Sequence, residues 1–326
     1  MTVEIVRFQV LLEAETPIAH HSESIGNSAI AMRRKIRQPD GSFANVPIVT
    51  GDTMRHGLRE AGAYSLLRAA NLLGEKCLTE AALRLLFAGG MITGSQDAVK
   101  LDEYQKMCEI NPPLALLGGC IQNRSIPGRM NVDDALLVCL ETEKFLPKPL
   151  LDYLSETGIK LQSCRGHVEE VQRVRMDPAL NPVHHTLLLD GGEGVVKKLK
   201  KNEKASAENN AIEKAESKCT MMPRSFETIV QGSLFKWELS CTVTSDLDQD
   251  TLLTMVGEFL SRPVVGGKRG VGFGRMRPVK AWKVNVTAPS QVSLESDLSH
   301  VAGSLFQTHV SSRSSEVREW LKSVVA

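Results

Sequence analysis

Residues 235–286 read FKWELSCTVTSDLDQDTLLTMVGEFLSRPVVGGKRGVGFGRMRPVKAWKVNV, and the pattern of this segment indicates the fold class. Apolar residues occupy every second position from Phe235 to Val243, which predicts a half-buried strand. Between Leu252 and Leu260 they recur at helical spacing, so an amphipathic helix follows. Five glycines then fall between Gly266 and Gly274, and a final apolar strand runs from about Met276 to Val286. The segment is therefore strand, helix, glycine-rich connection and strand.

The preceding residues supply the other half of the same pattern. Val6, Phe8, Val10 and Leu12 alternate with less apolar neighbours and predict a first strand. After a basic loop, Thr50-Gly51-Asp52-Thr53 offers N-cap chemistry to a helix whose inner face is Met54, Leu58 and Ala61. A further strand is predicted near Met130 to Leu140. The order strand, helix, strand, strand, helix, strand is the split βαβ unit of ferredoxin-like and RNA-recognition-motif folds, so the predicted class is α+β.

Charge and composition narrow the kind of partner. The 326 residues carry a formal net charge of +1 and 42% hydrophobic residues, as a globular protein does. Two segments, residues 24–39 and 261–293, are basic and contain no acidic residue. Such clustering in a balanced chain predicts one localised anionic partner.

Location and redox chemistry also follow from the sequence. The seven cysteines are scattered and form no Cys-x-x-Cys pair, so we expect reduced thiols, no metal site and no cofactor. The chain has no run of eighteen apolar residues and no signal peptide, so we expect a cytoplasmic protein with no membrane partner.

The glycine-rich segment has the chemistry of an anion site. Gly266, Gly267 and Gly270 let a ligand backbone approach and let N–H groups converge on a phosphate, while Lys268 and Arg269 supply charge. The spacing is neither that of a P-loop nor that of a dinucleotide fingerprint. A close-packed bend is the alternative explanation for the glycines.

This ordered set of motifs resembles the CRISPR-associated RAMP superfamily, in which a glycine-rich loop precedes the last core strand. Residues 46–59 are similar to the Pro-x-x-x-Gly-Ser-x-x-Lys-Gly-x-Leu-Arg pattern that opens the first helix of that family. Residues 117–119 and 128–135 resemble its Phe-Gly and Gly-x-Leu-x-Val-x-Asp-Ala elements. Residues 173–178, 224–227 and 232–235 are similar to the strands that flank its projecting thumb.

The resemblance implies a modified RNA-recognition-motif palm with a helical insertion and a projecting thumb. We therefore expect six segments: the first part of the palm at 1–66, the helical insertion at 67–128, the continued palm at 129–164, the thumb at 165–231, the palm with the glycine-rich loop at 232–290, and a C-terminal extension at 291–326.

The function implied by the resemblance is to bind CRISPR guide RNA. Copies of the chain would polymerise along the guide as the backbone of an effector complex, together with other subunits and a complementary target nucleic acid. The length, His20-His21-Ser22-Glu23 and the basic run from Met32 to Lys35 look most like the backbone subunit of type IV systems, with the type III subunit next nearest.

Several residues are the expected RNA contacts under this interpretation. They are His20, Ser22, Arg33, Arg34, Arg37, Thr53, Arg55, Arg59, Gly266, Gly267, Lys268, Arg269 and Gly270, with Arg173, Arg175 and Met176 in the thumb. Arg55 and Arg59 stand one turn apart on the first helix and are explained equally well as part of a surface ion-pair face with Glu60 and Glu4. Met176 would wedge against bases under this interpretation, although methionine is more often a gap-filling core residue.

Two enzymatic alternatives remain open. Type III backbone subunits carry a cleavage-supporting aspartate between the first strand and first helix, but residues 26–34 here contain no carboxylate, so we expect no catalysis. His20 or His21 would instead serve a RAMP-type endoribonuclease that processes precursor CRISPR RNA. The other alternative is a metabolic enzyme that binds a phosphorylated small molecule at the glycines.

Overall fold

The computed structural model describes residues 3–25, 28–91, 97–98, 100–121, 123–173, 224–284, 289–292 and 304–324. The chain divides into two compact units. The first contains Met1–His20, Met32–Val168 and Ile229–Ala326, and the second contains His21–Ala31 and Glu169–Thr228.

The described elements follow in chain order. The first half has β1 (Glu4–Ala14), β2 (His21–Ile25), β3 (Ser28–Ala31), β4 (Arg33–Arg37), β5 (Phe43–Val49), α1 (Gly51–Ala69), α2 (Glu80–Ala88), β6 (Asp97–Ala98), α3 (Leu101–Ile110), α4 (Pro112–Leu117), β7 (Gly119–Ile121), β8 (Arg124–Ile126), β9 (Met130–Val132) and β10 (Ala135–Leu137). The second half has α5 (Lys148–Glu156), β11 (Val168–Arg173), β12 (Arg224–Ile229), β13 (Leu234–Val243), α6 (Asp246–Ser261), β14 (Met276–Val284), β15 (Pro289–Val292), α7 (Ser304–Ser312) and α8 (Ser314–Ser323). Short 3-10 turns occupy Leu140–Phe145, Cys164–His167 and Arg269–Val271.

The main sheet of the first unit contains the predicted palm. Its strand order is β15-β14-β1-β13-β10-β5-β4, and β9 also pairs with β13. The four central strands β14, β1, β13 and β10 are the fourth, first, third and second strands of the split βαβ unit, with antiparallel neighbours throughout. The α+β class with an RNA-recognition-motif-like palm is thus confirmed.

The palm core lies between this sheet and helices α1 and α6. Alternate residues of β1 and β13, among them Phe8 and Trp237, are fully buried, as the period-two pattern predicts. The predicted inner face of α1, from Met54 to Ala61, is buried in the same core. The two helices approach closely because α1 has Gly57 at the crossing, where a Cβ would lie 2.5 Å from the Phe259 ring.

An ion pair joins the second half of the palm to the middle of the chain. The Arg129 guanidinium donates two hydrogen bonds, of 2.7 and 2.8 Å, to the Asp248 carboxylate at the start of α6. Asp248 also accepts from the Thr244 N–H and hydroxyl. Burial alone would raise the pKa of Asp248, but the hydrogen bonds from Arg129 and Thr244 outweigh it and lower that pKa.

The structure departs from the sequence expectations in three places. Strands β2 to β5 occupy the segment expected to be a basic loop. The strand expected near Met130 to Leu140 is divided into β9, β10 and a 3-10 turn. The helical insertion contains α2, α3 and α4 but also a three-stranded sheet with the order β6-β8-β7.

The other face of the sheet is partly covered, which the alternation could not reveal. Leu11 and Trp282 point to that face and pack with Leu150 and Leu154 of α5. Leu11 is consequently buried although it lies between two inward-facing residues of β1. The C-terminal helices form part of a second core, in which Phe306 and Val317 pack with residues of α1, α2 and α4.

The described part of the second unit is a four-stranded sheet with the order β11-β12-β3-β2. Strands β12 and β3 are parallel, and β2 and β3 are antiparallel. The His21 Nε2 lies 3.0 Å from the Glu227 carbonyl oxygen, and its ring meets Phe226 edge to face. Most of the expected thumb, including Arg175 and Met176, lies outside the described residues.

Within the described ranges, no helix combines the length and apolar character needed to cross a bilayer.

Candidate nucleic-acid interface

The glycine-rich loop contains glycines of two kinds. Gly266 and Gly274 have φ angles of +73° and +84°, and a Cβ would lie 2.6 Å from the Ala19 oxygen or 1.9 Å from the Val265 oxygen. These glycines are required by the fold of the chain itself. At Gly270 a Cβ meets nothing within 4 Å, and at Gly267 the nearest atom is at an ordinary contact distance of 3.5 Å. Packing within the chain does not explain why these two positions lack a side chain.

The loop is anchored at both ends and leaves backbone donors open between the anchors. The Gly267 N–H donates to the Ala19 oxygen at 2.7 Å, and the Gly274 N–H donates to the Pro17 oxygen at 2.9 Å. The 3-10 turn starts after Lys268, which has a positive φ of 58°. In the described part of the chain, the N–H groups of Arg269 and Gly270 have no hydrogen-bond partner. Unpaired N–H groups at the start of such a turn favour an anion.

The Arg269 side chain connects this loop to helix α1. Its Nε donates to the Gly266 oxygen at 3.2 Å, and its Nη1 lies 3.4 Å from the Glu60 carboxylate. Both groups of this ion pair are about one-third exposed. A long, partly exposed ion pair is worth little, so a phosphate competes well with Glu60 for the guanidinium.

The N-terminus of α1 lies beside the loop and is capped by Asp134, which lies between β9 and β10. Thr50 is the N-cap residue, but its side chain makes no capping hydrogen bond. The Gly51 N–H donates instead to Asp134 Oδ1 at 2.7 Å, and the Arg34 Nε donates to Asp134 Oδ2 at 2.7 Å. Burial would raise the pKa of Asp134, yet the hydrogen bonds from Arg34 and Gly51 outweigh it and lower that pKa. Arg34 therefore supports the start of α1 through Asp134.

His20 is held by the same N-cap residue. The Thr50 N–H donates to His20 Nε2 at 3.3 Å, and the Thr50 hydroxyl lies 3.2 Å from that nitrogen. The Thr50 and Thr53 hydroxyl oxygens are 3.0 Å apart. Because a backbone N–H can only donate, Nε2 of His20 must accept and carries no proton in this arrangement. The nitrogen is thus occupied, which disfavours His20 as a general acid.

These elements enclose an open cleft of about 450 Å³. It is lined by His20, Asp52, Thr53, His56, Gly266 and Arg269. The macrodipole of α1 and the Arg269 guanidinium favour an anion there, while the Asp52 carboxylate opposes it. We call this space, together with the loop from Gly266 to Gly270, the glycine-loop cleft.

Arg55 and Arg59 lie on a different face of α1, against the helical insertion. Arg55 donates to the Met130 oxygen at 3.0 Å and to the Leu117 oxygen. Arg59 packs on Gly89, and burial lowers its pKa to about 10, with Arg55 adding repulsion. Both side chains support the packing of the insertion, and neither forms the ion pairs with Glu60 and Glu4 that were the alternative.

The remaining expected contacts lie elsewhere. Ser22 is exposed on β2 in the second unit. Arg33 and Arg37 are on β4 at the edge of the main sheet, and Arg37 is exposed. Arg173 ends β11. The structure therefore brings together His20, Thr53 and the loop residues, but not the whole expected set.

The central sheet face does not offer the base-stacking surface of an RNA-recognition motif. Glu238 accepts a 2.9 Å hydrogen bond from Gln9 and lies within 3.4 Å of Arg7 and 3.2 Å of Lys236. Trp282, the aromatic residue of β14, is covered by α5. Ion pairs and a helix thus occupy the face on which that motif stacks bases.

Several residues that line or support the cleft were missing from the expected RNA contacts, namely Thr50, Asp52, His56, Glu60 and Asp134. His56 follows Thr53 by three residues, so its place on the same helix face was predictable from helical spacing. Asp134 lies in the motif-like segment 128–135 and Glu60 was considered as a partner of Arg55 and Arg59, but their actual partners Gly51 and Arg269 could not be inferred because they are far away in sequence. Among the described residues, no group of three or more His, Cys, Asp or Glu side chains is placed to hold a metal ion.

Comparisons with known proteins show similarity of structure but not of sequence. No protein-family model matches the chain, and no curated protein matches it. A solved structure described as a type IV-B CRISPR complex contains a chain with a TM-score of 0.51 and 15% sequence identity. The match covers 88% of this chain and 93% of that chain. At this identity the likeness concerns the fold, which the two chains share over nearly their whole length.

Proposed function

We propose that the chain is a non-catalytic RNA-binding subunit that oligomerises along CRISPR guide RNA and forms the backbone of a multisubunit effector complex. The observation that carries the proposal is the glycine-loop cleft. There, unpaired N–H groups at Arg269 and Gly270 lie beside a glycine with open space around it. A phosphodiester backbone fits this arrangement, because its phosphates accept hydrogen bonds from main-chain N–H groups at close approach and are the same at every nucleotide.

Each residue of the cleft has a defined part in this proposal. Gly267 and Gly270 admit the RNA backbone, and the N–H groups of Arg269 and Gly270 donate to a phosphate. The Arg269 guanidinium exchanges Glu60 for the same phosphate, and Thr53 and His56 contact the sugar or the next phosphate. Recognition of this kind reads backbone shape and charge, and it leaves the bases free to pair with a complementary target.

The fold supports the assignment to a CRISPR complex. The shared fold with a chain of a type IV-B CRISPR complex extends over most of both chains, and the motif order resembles RAMP backbone subunits. Binding to phosphates without base contacts permits repeated copies along one RNA. Complementary target nucleic acid and other effector subunits are the further partners that this role requires.

The absence of catalysis is part of the proposal. Residues 26–34 supply no carboxylate, and Nε2 of His20 accepts the Thr50 N–H. His21 has its Nε2 at the Glu227 carbonyl, within the second unit. Neither histidine is placed as a free acid or base beside a phosphate.

Assembly on RNA of increasing length tests this function. Purified chain is treated with ribonuclease, repurified and mixed with single-stranded RNAs of graded length, and particle masses are measured by mass photometry. We expect masses that increase in steps of one chain as the RNA lengthens, and no assembly on duplex DNA of equal length. A single mass independent of RNA length would contradict oligomerisation, and a chain that remains free at all lengths would contradict RNA binding.

A further inference from the structure

The hairpin of β4 and β5 carries a row of cations on one face. Arg33, Lys35 and Arg37 alternate along β4 and therefore share a face. The intervening Ile36 packs on the main core, and Arg34 pairs with Asp134. Alternate residues of a strand are about 6.6 Å apart, so the three cations extend over about 13 Å.

This row ends at two exposed aromatic rings. Phe43 is 57% exposed and lies opposite Arg37 in the hairpin, and Phe145 is 48% exposed. The Lys35 Nζ lies 4.5 Å from the centre of the Phe43 ring, and the Lys144 Nζ lies 4.9 Å from that of Phe145. We call Lys35, Arg37, Phe43, Lys144 and Phe145 the hairpin corner.

The two rings belong to one surface because the β4–β5 hairpin is hydrogen-bonded to the 3-10 turn at Leu140–Phe145. Lys144 donates to the Arg37 oxygen, and the Gln38 side chain donates to the Glu141 oxygen at 3.2 Å. The same lysine that contacts the Phe145 ring is therefore bound to the residue opposite Phe43.

The charge of this surface is positive after its internal contacts are considered. Residues 33–45 and 140–145 contain five cations and three carboxylates. Glu141 is engaged by the Ser163 hydroxyl and the Cys164 N–H, and Asp40 is engaged by Ser42. Asp40 and Glu143 are the exposed carboxylates of these three, and Arg34 is paired with Asp134, so four cations remain against three carboxylates.

Protection of the edge strand β4 against pairing with another chain explains the cations of this surface but not its aromatic rings. Lys and Arg on an edge strand such as β4 discourage pairing with another chain. Exposed Phe43 and Phe145 would have the opposite effect, since large apolar groups at an edge promote association. Cations interleaved with exposed aromatic rings are instead what single-stranded nucleic acid needs, with phosphates on the cations and bases on the rings.

We infer that the hairpin corner is a second binding site, which takes unpaired nucleotides of single-stranded RNA or DNA. The inference rests on the proposed function in one respect, the class of ligand: β4 begins next to His20, which lines the glycine-loop cleft, because the Met32 N–H donates to the His20 oxygen at 2.7 Å. The rings then provide sequence-independent stacking.

The test is a titration of labelled oligo-uridine, oligo-deoxythymidine and a duplex, followed by fluorescence anisotropy. The variant is Phe43→Ala with Phe145→Ala. The matched control is Leu73→Ala with Leu83→Ala, which removes side chains that are 48% and 47% exposed on the helical insertion. We expect the phenylalanine variant, which removes two stacking rings, to lose about thirtyfold or more in affinity for single strands. The control should bind as wild type does, and duplex binding should be unchanged in both variants.

Comparison of the two single strands shows whether the site accepts RNA, DNA or both. Photo-cross-linking of oligo-uridine to wild type, with mass-spectrometric mapping, should place adducts on peptides that contain Phe43 or Phe145. Equal single-strand affinity for the phenylalanine variant and wild type overturns the inference. So does a loss of self-association without a loss of strand binding, because the rings would then contact another copy of the chain.

A third variant, Gly270→Val, separates this inference from the proposed function. If Gly270→Val weakens RNA binding and the phenylalanine variant does not, the hairpin corner is wrong while the cleft stands. The reverse result retains the hairpin corner and rejects the cleft. Absence of strand binding by wild type rejects both.

Discussion

The two kinds of glycine in the loop lead to opposite expectations for substitution. Gly274→Ala places a side chain at a φ of +84°, which costs about 1–2 kcal/mol for an L-residue. Its Cβ would also lie 1.9 Å from the Val265 oxygen, and the backbone shift that relieves such an overlap costs a further 1–3 kcal/mol or so. The free energy of unfolding should therefore fall by about 2–5 kcal/mol, a large part of the stability of a typical domain.

Gly270→Val should leave the fold intact and weaken RNA binding. No atom lies within 4 Å of the added Cβ, so we expect the free energy of unfolding to change by less than about 0.5 kcal/mol. The branched side chain keeps a phosphate away from the Arg269 and Gly270 N–H groups. Loss of one such charge-assisted hydrogen bond costs about 1.5–3 kcal/mol, or roughly ten- to 150-fold in Kd.

Urea unfolding and RNA titration of both variants provide the assay. Gly274→Ala acts as the stability control and Gly270→Val as the binding variant. Unfolding of Gly274→Ala at the same urea concentration as wild type would show that Gly274 is not required by the fold. A destabilised Gly270→Val whose folded fraction binds RNA with unchanged affinity would show that Gly270 serves packing.

Three further expectations concern stability, pH and catalysis. Asp248→Asn should lower the free energy of unfolding by about 3 kcal/mol, because it leaves the partly buried Arg129 without its carboxylate. Asp246→Asn in the same helix turn should lower it by less than about 1 kcal/mol. Equal effects of the two substitutions in urea unfolding would contradict this. Burial would raise the pKa of Glu141, but hydrogen bonds from a serine hydroxyl and a backbone N–H hold it at about 2, below the usual 4.5. The stability that ionised Glu141 contributes should be complete above about pH 4.5 and should be lost as the pH falls towards 2. The difference in Tm between wild type and Glu141→Gln should therefore vanish at the acid end. A difference in Tm that stays constant with pH would contradict this role of Glu141. The chain assembled on guide RNA should leave complementary RNA uncut with magnesium or manganese, and products that disappear in His20→Ala, His21→Ala or the double variant would favour the endoribonuclease.

The palm could be predicted because its signals are local. Alternation in residues 235–243, the helical spacing after Leu252 and the glycines before β14 each describe neighbours in sequence. Their order alone defines the split βαβ unit, and the sheet has the corresponding strand order. The burial of Leu11 was not predictable in the same way, because it depends on α5 folding back over a strand more than a hundred residues away.

The cleft was only partly accessible from sequence for a related reason. A helix presents several faces, and the sequence does not show which of them meets the insertion, so Arg55 and Arg59 could not be separated from Thr53 and His56. Glycines required by positive φ are likewise indistinguishable from glycines that admit a ligand until their neighbours are known. Gly274 and Gly270 are the same residue type in one loop, but a Cβ would overlap the backbone at Gly274 and would meet open space at Gly270.

The buried faces of the C-terminal helices are also marked in the sequence. Phe306 and Val310, and likewise Val317 and Leu321, are spaced by four residues, which is typical of one buried helix face. These four residues are buried in the second core. The expected extension at 291–326 therefore contributes to the core that it shares with the helical insertion.

The salt dependence of RNA affinity measures how many phosphates one chain neutralises. Wild-type chain is titrated with a labelled single-stranded RNA at a series of salt concentrations, and log affinity is plotted against log salt. Binding through phosphates should give a slope of about −0.7 for each contact, hence about −2 or steeper if one chain neutralises three phosphates. A slope near zero, or no measurable binding at low salt, would contradict the account.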